Sequence, residues 1–204
     1  FRRVLFRSRI GHGNFGDELS KVVCAFLLKH HNAHRRLVYN QTNTYHNLVC
    51  VGSYIHAARE GAHIYGSGIR TTHQHLPKQL EIHAVRGPMS RQHIRSHRPN
   101  AQVPELYGDP ALLMPRIYTP KHVDALNATV LVVPHITNRD KYANLAKDGM
   151  AVIDPTDPWE SVLDNIASCA CVLSSSLHGL ICADAYGVPN AWLKDRKSTR
   201  LNSS

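Results

Sequence analysis

The sequence lacks three features that would assign it to a familiar functional class. No apolar run reaches the roughly 20 residues that a membrane-spanning helix needs, so we expect a soluble cytoplasmic protein. Aromatic residues make up only 7% of the chain and no basic stripe is interleaved with them, which argues against nucleic-acid binding. The 15 histidines show no spacing typical of metal ligands. We therefore predict neither a metal site nor a cofactor.

Cysteine is also scarce, and all of its occurrences lie in apolar runs. This placement is typical of reduced, buried thiols in a cytoplasmic protein. The C-A-C pattern alternates on a predicted strand, so its two thiols share a face, which favours core packing over a metal or redox role. The cysteines are Cys24, Cys50, Cys169, Cys171 and Cys182.

The two ends of the chain have an unusual relationship. Residues Phe1–Ser8 would be encoded by TTCAGACGTGTGCTCTTCCGATCT, and the reverse complement of that DNA, read one base on, encodes the D-R-K-S-T-R-L that begins at Asp195. We interpret residues 1–8 and 195–204 as translated sequencing adapter and not native, and exclude them from fold reasoning. These ends carry six of the lysines and arginines and one aspartate, so the formal net charge of +9 falls to +4 without them. A charge of that size suits an anionic substrate.

Strand and helix patterns alternate along the remaining chain, which predicts an α/β protein with parallel sheets. A proline-containing join, Pro115–Val123, separates two such sets. We predict two Rossmann-like domains facing each other across a cleft, at 9–118 and 119–194, the second incomplete at its C-terminal end. A strand should precede the first glycine turn, but we expect it to be lost or overwritten by the excluded segment, so that no strand is present there. The predicted strands are Leu37–Tyr39, Leu48–Gly52, His63–Tyr65, Ile82–Val85, Thr129–Val133, Met150–Ile153, Ala170–Leu173 and one beginning at Ala191; the longer predicted helices are Glu18–His31, Asn138–Lys147, Pro158–Ser168 and Ser174–Gly187.

The stretch Ser174–Pro189 is the most informative part of the chain. It reads as the end of a strand, a serine turn, a helix and a glycine stop. Ser174, Ser175 and Ser176 can cap the helix or present donors to an anion, and His178 lies on the first turn. Ligands of open α/β sheets bind at the carboxyl ends of strands, so this histidine is a candidate for function as well as for a core or capping role.

Other polar turns follow predicted strands or open helices. Arg86 stands between a strand and a helix, where it could clamp an anion or pair with a local acid. Gly66, Ser67 and Gly68 would let the backbone approach a ligand, although turn geometry alone would also select them. His135 ends a strand of the second set.

The glycine-rich turn near the start of the chain contains Asn14, Gly16 and Asp17. These residues could bind sugar hydroxyls, with Asp17 as a base. The spacing of Asn14 and Asp17 also resembles a helix capping box. Asp109, in a later turn, is more typical of a cap.

Taken together, these motifs resemble the polysaccharide pyruvyl transferase family. The resemblance covers nearly all of 9–193 and its motifs occur in family order, the last being the most distinctive. They are N-F-G-D-E-L-S, G-S-Y-I-H, Y-G-S-G-I-R, A-V-R-G-P-M-S, Y-G-D-P-A-L-L-M-P and S-S-S-L-H-G-L-I-C-A-D-A-Y-G-V-P-N-A-W. The resemblance implies a fold like that of the GT-B glycosyltransferases. It also implies transfer of a pyruvyl group from phosphoenolpyruvate to a pair of sugar hydroxyls, forming a ketal on a surface polysaccharide or its lipid-linked precursor.

The family reaction assigns roles to the candidates. His178 and Asp17 would be catalytic, since protonation and deprotonation favour a histidine or carboxylate. The donor would be bound by Arg86, Ser174, Ser175, Ser176 and His135. The acceptor would be bound by Asn14, Gly16, Asp17, Gly66, Ser67 and Gly68. A lipid-linked acceptor would bring the protein to the inner face of the membrane.

One position departs from the family pattern. Some members have an arginine two residues before the helix histidine, where this chain has Ser176. This departure leaves open a non-catalytic module that binds glycans or anions. The shared architecture also leaves open a nucleotide-sugar-dependent glycosyltransferase.

Overall fold

The structure is a computed structural model that describes residues 4–6, 13–30, 37–39, 47–70, 76–126, 129–146 and 149–194. It is a mixed α/β fold with two separate parallel sheets. The chain divides into two compact units. Of the described residues, the first unit contains the strand Val4–Phe6 and those within Ser20–Pro110. The second unit contains those within Arg9–Leu19 and those from Ala111 onward. The division thus falls inside the first helix.

The first sheet has five parallel strands in the order β2-β1-β3-β4-β5. This is the order of one common doubly wound arrangement, in which the strand order reverses between the first and third strands. Its strands are β1 (Val4–Phe6), β2 (Leu37–Tyr39), β3 (Asn47–Val49), β4 (Ala62–Tyr65) and β5 (Leu80–Ala84). The accompanying helices are α1 (Phe15–His30), α2 (Pro88–His97) and a 3-10 turn at Ile55–Ala57.

The core of the first unit lies between one face of β4 and β5 and helix α2. Alternation along β4 buries Ala62 and Ile64, which pack in one cluster with Ile94 of α2 and Val103. The fully buried Ile64 and Ile94 fix the helix against the sheet. This packing places the start of α2 directly after the carboxyl end of β5.

The second sheet has four parallel strands in the order β7-β6-β8-β9. Its strand order reverses between β6 and β8, and residues Leu131 to Val133 of β6 are completely buried, as expected for a central parallel strand. Its strands are β6 (Val130–Val133), β7 (Met150–Val152), β8 (Cys171–Ser174) and β9 (Asn190–Trp192). Its helices are α3 (Arg139–Tyr142), α4 (Trp159–Ser168) and α5 (Leu177–Ala185), with 3-10 turns at Pro110–Arg116, Asp124–Leu126, Ile136–Asn138 and Ala143–Leu145.

These observations confirm the predicted parallel α/β class, and the two sheets are consistent with Rossmann-like folds. The prediction of no strand before the first glycine turn is wrong, because Val4–Phe6 pairs in parallel with β2 and β3. A central parallel strand requires a continuous apolar run. This segment supplies three consecutive apolar residues, two of which favour strands, whether or not the segment is native.

The continuous helix expected at Asn138–Lys147 is also wrong within the described residues. A single α-helical turn, α3, is flanked there by two 3-10 turns. Only Tyr142 of this segment is buried, so a single anchor replaces the apolar stripe that would hold a longer helix to a core.

Candidate active site

In the first unit, three polar turns follow three neighbouring strands. The turns at Gly52–Ser53, Gly66–Gly68 and Arg86–Gly87 follow β3, β4 and β5. Because these strands are parallel and adjacent, their carboxyl ends lie along one edge of the sheet. We call Gly52, Ser53, Ser67, Gly68 and Arg86 the arginine cluster.

Arg86 is the centre of the arginine cluster. Its side chain is only 9% exposed, and its Nη1 donates hydrogen bonds to Ser53 Oγ at 2.7 Å and to the carbonyl of Gly52 at 3.3 Å. Its Nε is buried and has no hydrogen-bond partner among the described residues. A guanidinium carries five N–H donors, so the bonds made by Nη1 use only part of its hydrogen-bonding capacity.

The glycine at position 68 makes room for this guanidinium. A Cβ placed on Gly68 would overlap the guanidinium carbon of Arg86, so only glycine permits the observed approach. Ser67 supports the same turn, because its Oγ donates to the Gly52 carbonyl at 2.8 Å and accepts the N–H of Tyr54 at 3.2 Å. Hydrogen bonds between the three turns therefore hold Arg86 in a fixed position.

A buried carboxylate balances the charge of Arg86. Asp109 is 3% exposed, and its Oδ2 accepts the N–H of Gly52 at 3.4 Å. Burial lowers the pKa of the Arg86 guanidinium from its usual value, and the charge of Asp109 opposes that shift. The opposite charges of Arg86 and Asp109 therefore compensate each other in the folded protein.

In the second unit, the serine turn and His178 form the other candidate centre. His178 lies on the first turn of α5 and is 8% exposed. Gly16, at the start of α1, lies directly against it, since a Cβ on Gly16 would overlap the imidazole Nδ1. We call Gly16, Ser174, Ser175, Ser176 and His178 the histidine cluster.

The three serines do different things. Ser174 Oγ is completely buried, lies 2.8 Å from the Val133 carbonyl, and accepts the N–H of Ser176 at 3.0 Å. Ser175 Oγ accepts the N–H of His135 at 2.9 Å. Ser176 stands at the N-cap of α5 without a side-chain capping bond. Ser174 and Ser175 thus stabilise the turn, whereas the Ser176 hydroxyl makes no capping hydrogen bond to α5.

His135 follows β6, and Ser175 follows β8. The strand order reverses between these two strands, which is where doubly wound sheets bind ligands. The imidazole Nδ1 of His135 lies 2.8 Å from Thr137 Oγ1 and accepts the Thr137 N–H at 3.3 Å. His135 therefore caps its own 3-10 turn, which is the structural role that a strand-end histidine can have.

The residues at the start of α1 also have clear structural roles. Asn14 Oδ1 accepts the N–H of Gly16 at 3.1 Å, and the Asn14 carbonyl accepts those of Asp17 and Glu18 at 2.9 and 3.2 Å. Asn14 is therefore a helix cap. Asp17 is half-buried in the first helical turn.

The structure groups the predicted residues by unit. The first unit brings Arg86, predicted to bind the donor, together with three residues predicted to bind the acceptor, Gly66, Ser67 and Gly68. In the second unit, Gly16, also predicted to bind the acceptor, lies against His178, predicted to be catalytic. Sequence reasoning missed Ser53, which bonds Arg86, because its glycine–serine turn after a strand does not distinguish that bond from ordinary turn formation. It favoured a cap over a catalytic role for Asp109, whose Oδ2 accepts the N–H of Gly52 in the structure.

Neither a cluster of metal-ligating side chains nor a membrane-spanning helix occurs among the described residues. No group of three or more histidine, cysteine, aspartate or glutamate side chains in the described ranges is arranged to hold a metal ion. Among the helices that the structure describes, none is long and apolar enough to cross a membrane.

Comparison with known proteins gives one family. The family described as polysaccharide pyruvyl transferase matches residues 14–194. The succinoglycan biosynthesis protein ExoV of Rhizobium meliloti (strain 1021) is 29% identical over 94% of this chain and 59% of its own length. An uncharacterized protein of Acanthamoeba polyphaga mimivirus is 25% identical over 71% of this chain and 52% of its own. The chain thus spans somewhat more than half the length of these curated relatives, and no solved structure matches it.

Proposed function

Since this chain belongs to the polysaccharide pyruvyl transferase family, we propose that it transfers the pyruvyl group of phosphoenolpyruvate to two hydroxyls of a sugar. The product is a pyruvate ketal on a polysaccharide or on its lipid-linked precursor. Family membership supports a transferase acting on polysaccharide, and the donor and the ketal are our proposal. The observation that carries it is the buried Arg86, whose guanidinium is held through Nη1 alone while its Nε has no partner in the described structure.

The reaction requires two proton donations, to the methylene carbon and to the departing phosphate, and two deprotonations of the sugar hydroxyls. A proton adds to the methylene carbon of phosphoenolpyruvate and leaves a cationic carbon. One sugar hydroxyl adds to that carbon and loses its proton, phosphate leaves, and the second hydroxyl closes the ketal and loses its own. The two hydroxyl protons replace the one added to the methylene and the one taken by the departing phosphate.

Two side chains have the chemistry for these steps. His178 would donate and accept protons, because imidazole is suited to both near neutral pH. Its position against Gly16 fixes the ring. Arg86 would hold the carboxylate or phosphate of the donor by charge-assisted hydrogen bonds. Ser176, whose hydroxyl makes no capping bond, would add a donor where other family members have arginine.

The remaining assignments follow from the same reaction. Asp17 would accept a hydroxyl proton, and the turn Gly66–Gly68 would bind the acceptor through its backbone. We propose a GT-B-like fold for the whole protein and a location at the cytoplasmic face of the membrane, where lipid-linked precursors are available. The two parallel sheets support the first of these proposals.

The test uses the full-length protein encoded by the gene. It is incubated with phosphoenolpyruvate labelled at the pyruvyl carbons and with a panel of lipid-linked oligosaccharides. We expect phosphate release together with a sugar product heavier by one labelled pyruvyl group. The same panel is incubated with nucleotide sugars, and release of a nucleoside diphosphate with sugar transfer would instead establish a glycosyltransferase.

A further inference from the structure

A groove on the first unit takes no part in the proposed chemistry. It measures about 570 Å³ and lies between α2 and Tyr107. Pro88, Arg91, Gln92 and Arg95 line it, at helical spacings of three and four residues, so they form one stripe along α2. The volume is in the range of small-molecule binding sites.

The groove is polar and positively charged. Arg91 is fixed, because its Nε donates to the Val103 carbonyl at 3.0 Å and its Nη2 pairs with Glu105 at 3.0 Å. Arg95 lies one turn further on, is exposed, and makes no ion pair within the described part of the chain. None of the groove-lining residues is acidic, so a ligand there meets an uncompensated guanidinium.

Tyr107 provides the aromatic wall and links the groove to the arginine cluster. Its ring is 41% exposed. Its backbone forms a parallel bridge with Val85, the residue before Arg86, and Asp109 follows two residues later. A ligand in the groove therefore lies next to the turn that carries Arg86.

We propose that this groove binds an acidic oligosaccharide. The Tyr107 ring would pack against the apolar face of a sugar ring, Arg95 would hold a carboxylate by charge-assisted hydrogen bonds, and Gln92 would bond sugar hydroxyls. The identification of this glycan as an extension of the acceptor rests on the proposed function, whereas its binding rests on the groove alone.

An anionic membrane surface is the other partner that this region could suit. Met89 and Leu106, the chain neighbours of Pro88 and Tyr107, are 38% and 60% exposed, and exposed apolar side chains beside arginines also occur at membrane interfaces. The groove is shallow, but amide and hydroxyl side chains line it in addition to the arginines. These features favour an oligosaccharide over a membrane surface.

The experiment measures binding by calorimetry at low salt, with the chain and a glucuronate-containing tetrasaccharide. Its carboxyl-reduced counterpart is the neutral probe. We expect Arg95→Gln to weaken binding of the acidic probe about 3-fold and to leave the neutral probe unaffected. Tyr107→Ala should weaken both probes about 5-fold, and Tyr107→Phe should weaken neither. Lys78→Gln, an exposed cation outside the groove, is the matched control.

Several results would overturn this inference. Equal affinity for the acidic and neutral probes, or no effect of Arg95→Gln and Tyr107→Ala, would remove it. Sedimentation with phosphatidylglycerol vesicles that Arg95→Gln and Leu106→Ser abolish, without selective tetrasaccharide binding, would replace it with a membrane surface. Selective binding in a full-length protein that releases no phosphate from phosphoenolpyruvate would leave the groove established and refute the proposed function. Pyruvyl transfer that is insensitive to Arg95→Gln and Tyr107→Ala would establish the proposed function and refute the assignment of the groove to the acceptor.

Discussion

The two units have similar sheets but place different chemistry at the carboxyl ends of their strands. In the first unit, three turns hold the buried cation of Arg86 near a buried carboxylate. In the second unit, a serine turn precedes an imidazole that lies against a glycine. A permanent cation can hold an anion but cannot donate its proton near neutral pH, whereas an imidazole can exchange protons.

This difference indicates a division of work between the two clusters. The arginine cluster is preorganised for binding, because hydrogen bonds between its turns fix the guanidinium before any ligand arrives. The histidine cluster is suited to proton transfer. The substitutions that follow should therefore change different kinetic constants in the two units, and equal effects on the same constant would remove the distinction.

The largest effect is expected at His178. His178→Gln keeps a hydrogen-bonding side chain but cannot exchange protons, so kcat for pyruvyl transfer should fall about 1,000-fold. KM for phosphoenolpyruvate should change little. Steady-state phosphate release measures both constants, and His122→Gln, at an exposed histidine of the same unit, is the control. A variant that loses donor affinity but keeps kcat would mean that His178 binds rather than catalyses.

The next largest effect is expected at Arg86. Lysine offers a single ammonium group, which can reach Ser53 or a ligand but cannot bridge them as a planar guanidinium does. Arg86→Lys should raise KM for phosphoenolpyruvate about 10-fold and leave kcat nearly unchanged. Lys78→Gln is again the control. A fall in kcat as large as that of His178→Gln would show that the cation stabilises the transition state, and the division of work would not hold.

Two glycine substitutions test how each side chain is positioned. An added Cβ at Gly68 meets only the guanidinium end of the Arg86 side chain, so Gly68→Ala should displace the guanidinium and weaken donor binding, with a smaller loss of stability than at Gly16. An added Cβ at Gly16 meets the imidazole ring and also the Cβ of His178. That Cβ is attached to the backbone of α5, so it cannot move unless the backbone moves as well. Gly16→Ala should therefore lower kcat and cost about 1–3 kcal/mol of unfolding free energy. Thermal unfolding measures the loss of stability in both variants, and steady-state kinetics measures kcat and KM. Equal stability losses in the two variants would contradict the predicted difference.

Much of this arrangement could be predicted from the sequence. The alternation of apolar runs with glycine and serine turns was sufficient to predict parallel sheets, and the turns after β4, β5 and β8 identified Arg86, Gly68 and His178. These features depend on local patterns. Only the strand pairing of the structure places the turns after β4 and β5 at one sheet edge.

The features of the site that the sequence does not predict depend on contacts between residues distant in sequence. Ser53 bonds an arginine 33 residues away, and Asp109 bonds the Gly52 N–H 57 residues away. No local pattern distinguishes those roles from turn formation and helix capping. Likewise, the packing of Gly16 against His178 depends on tertiary structure, so the sequence, which predicts acceptor binding or turn formation for Gly16, does not indicate that this glycine makes room for an imidazole.

The smallest expected effect is a pH dependence of stability confined to the first unit. His93 is 6% exposed, its Nε2 has no partner within the described residues, and burial together with the neighbouring His97 lowers its pKa. Between that lowered pKa and the usual value near 6.5 the unfolded chain binds more protons than the native one. The unfolding free energy of the first unit should therefore fall as the pH drops below about 6.5 and stay level above it.

The two tryptophans make this effect separable, because Trp159 and Trp192 both lie in the second unit. Urea unfolding at pH 7.5 and 5.5 is followed by tryptophan fluorescence for the second unit and by hydrogen exchange of α2 amides for the first. We expect the α2 amides to lose protection at pH 5.5, by no more than about 1.4 kcal/mol per pH unit for one proton, and His93→Gln to remove that loss. The fluorescence midpoint should move less than the α2 midpoint. If both midpoints shift together and His93→Gln restores both, the units unfold as one cooperative structure, and their stabilities cannot be treated as independent.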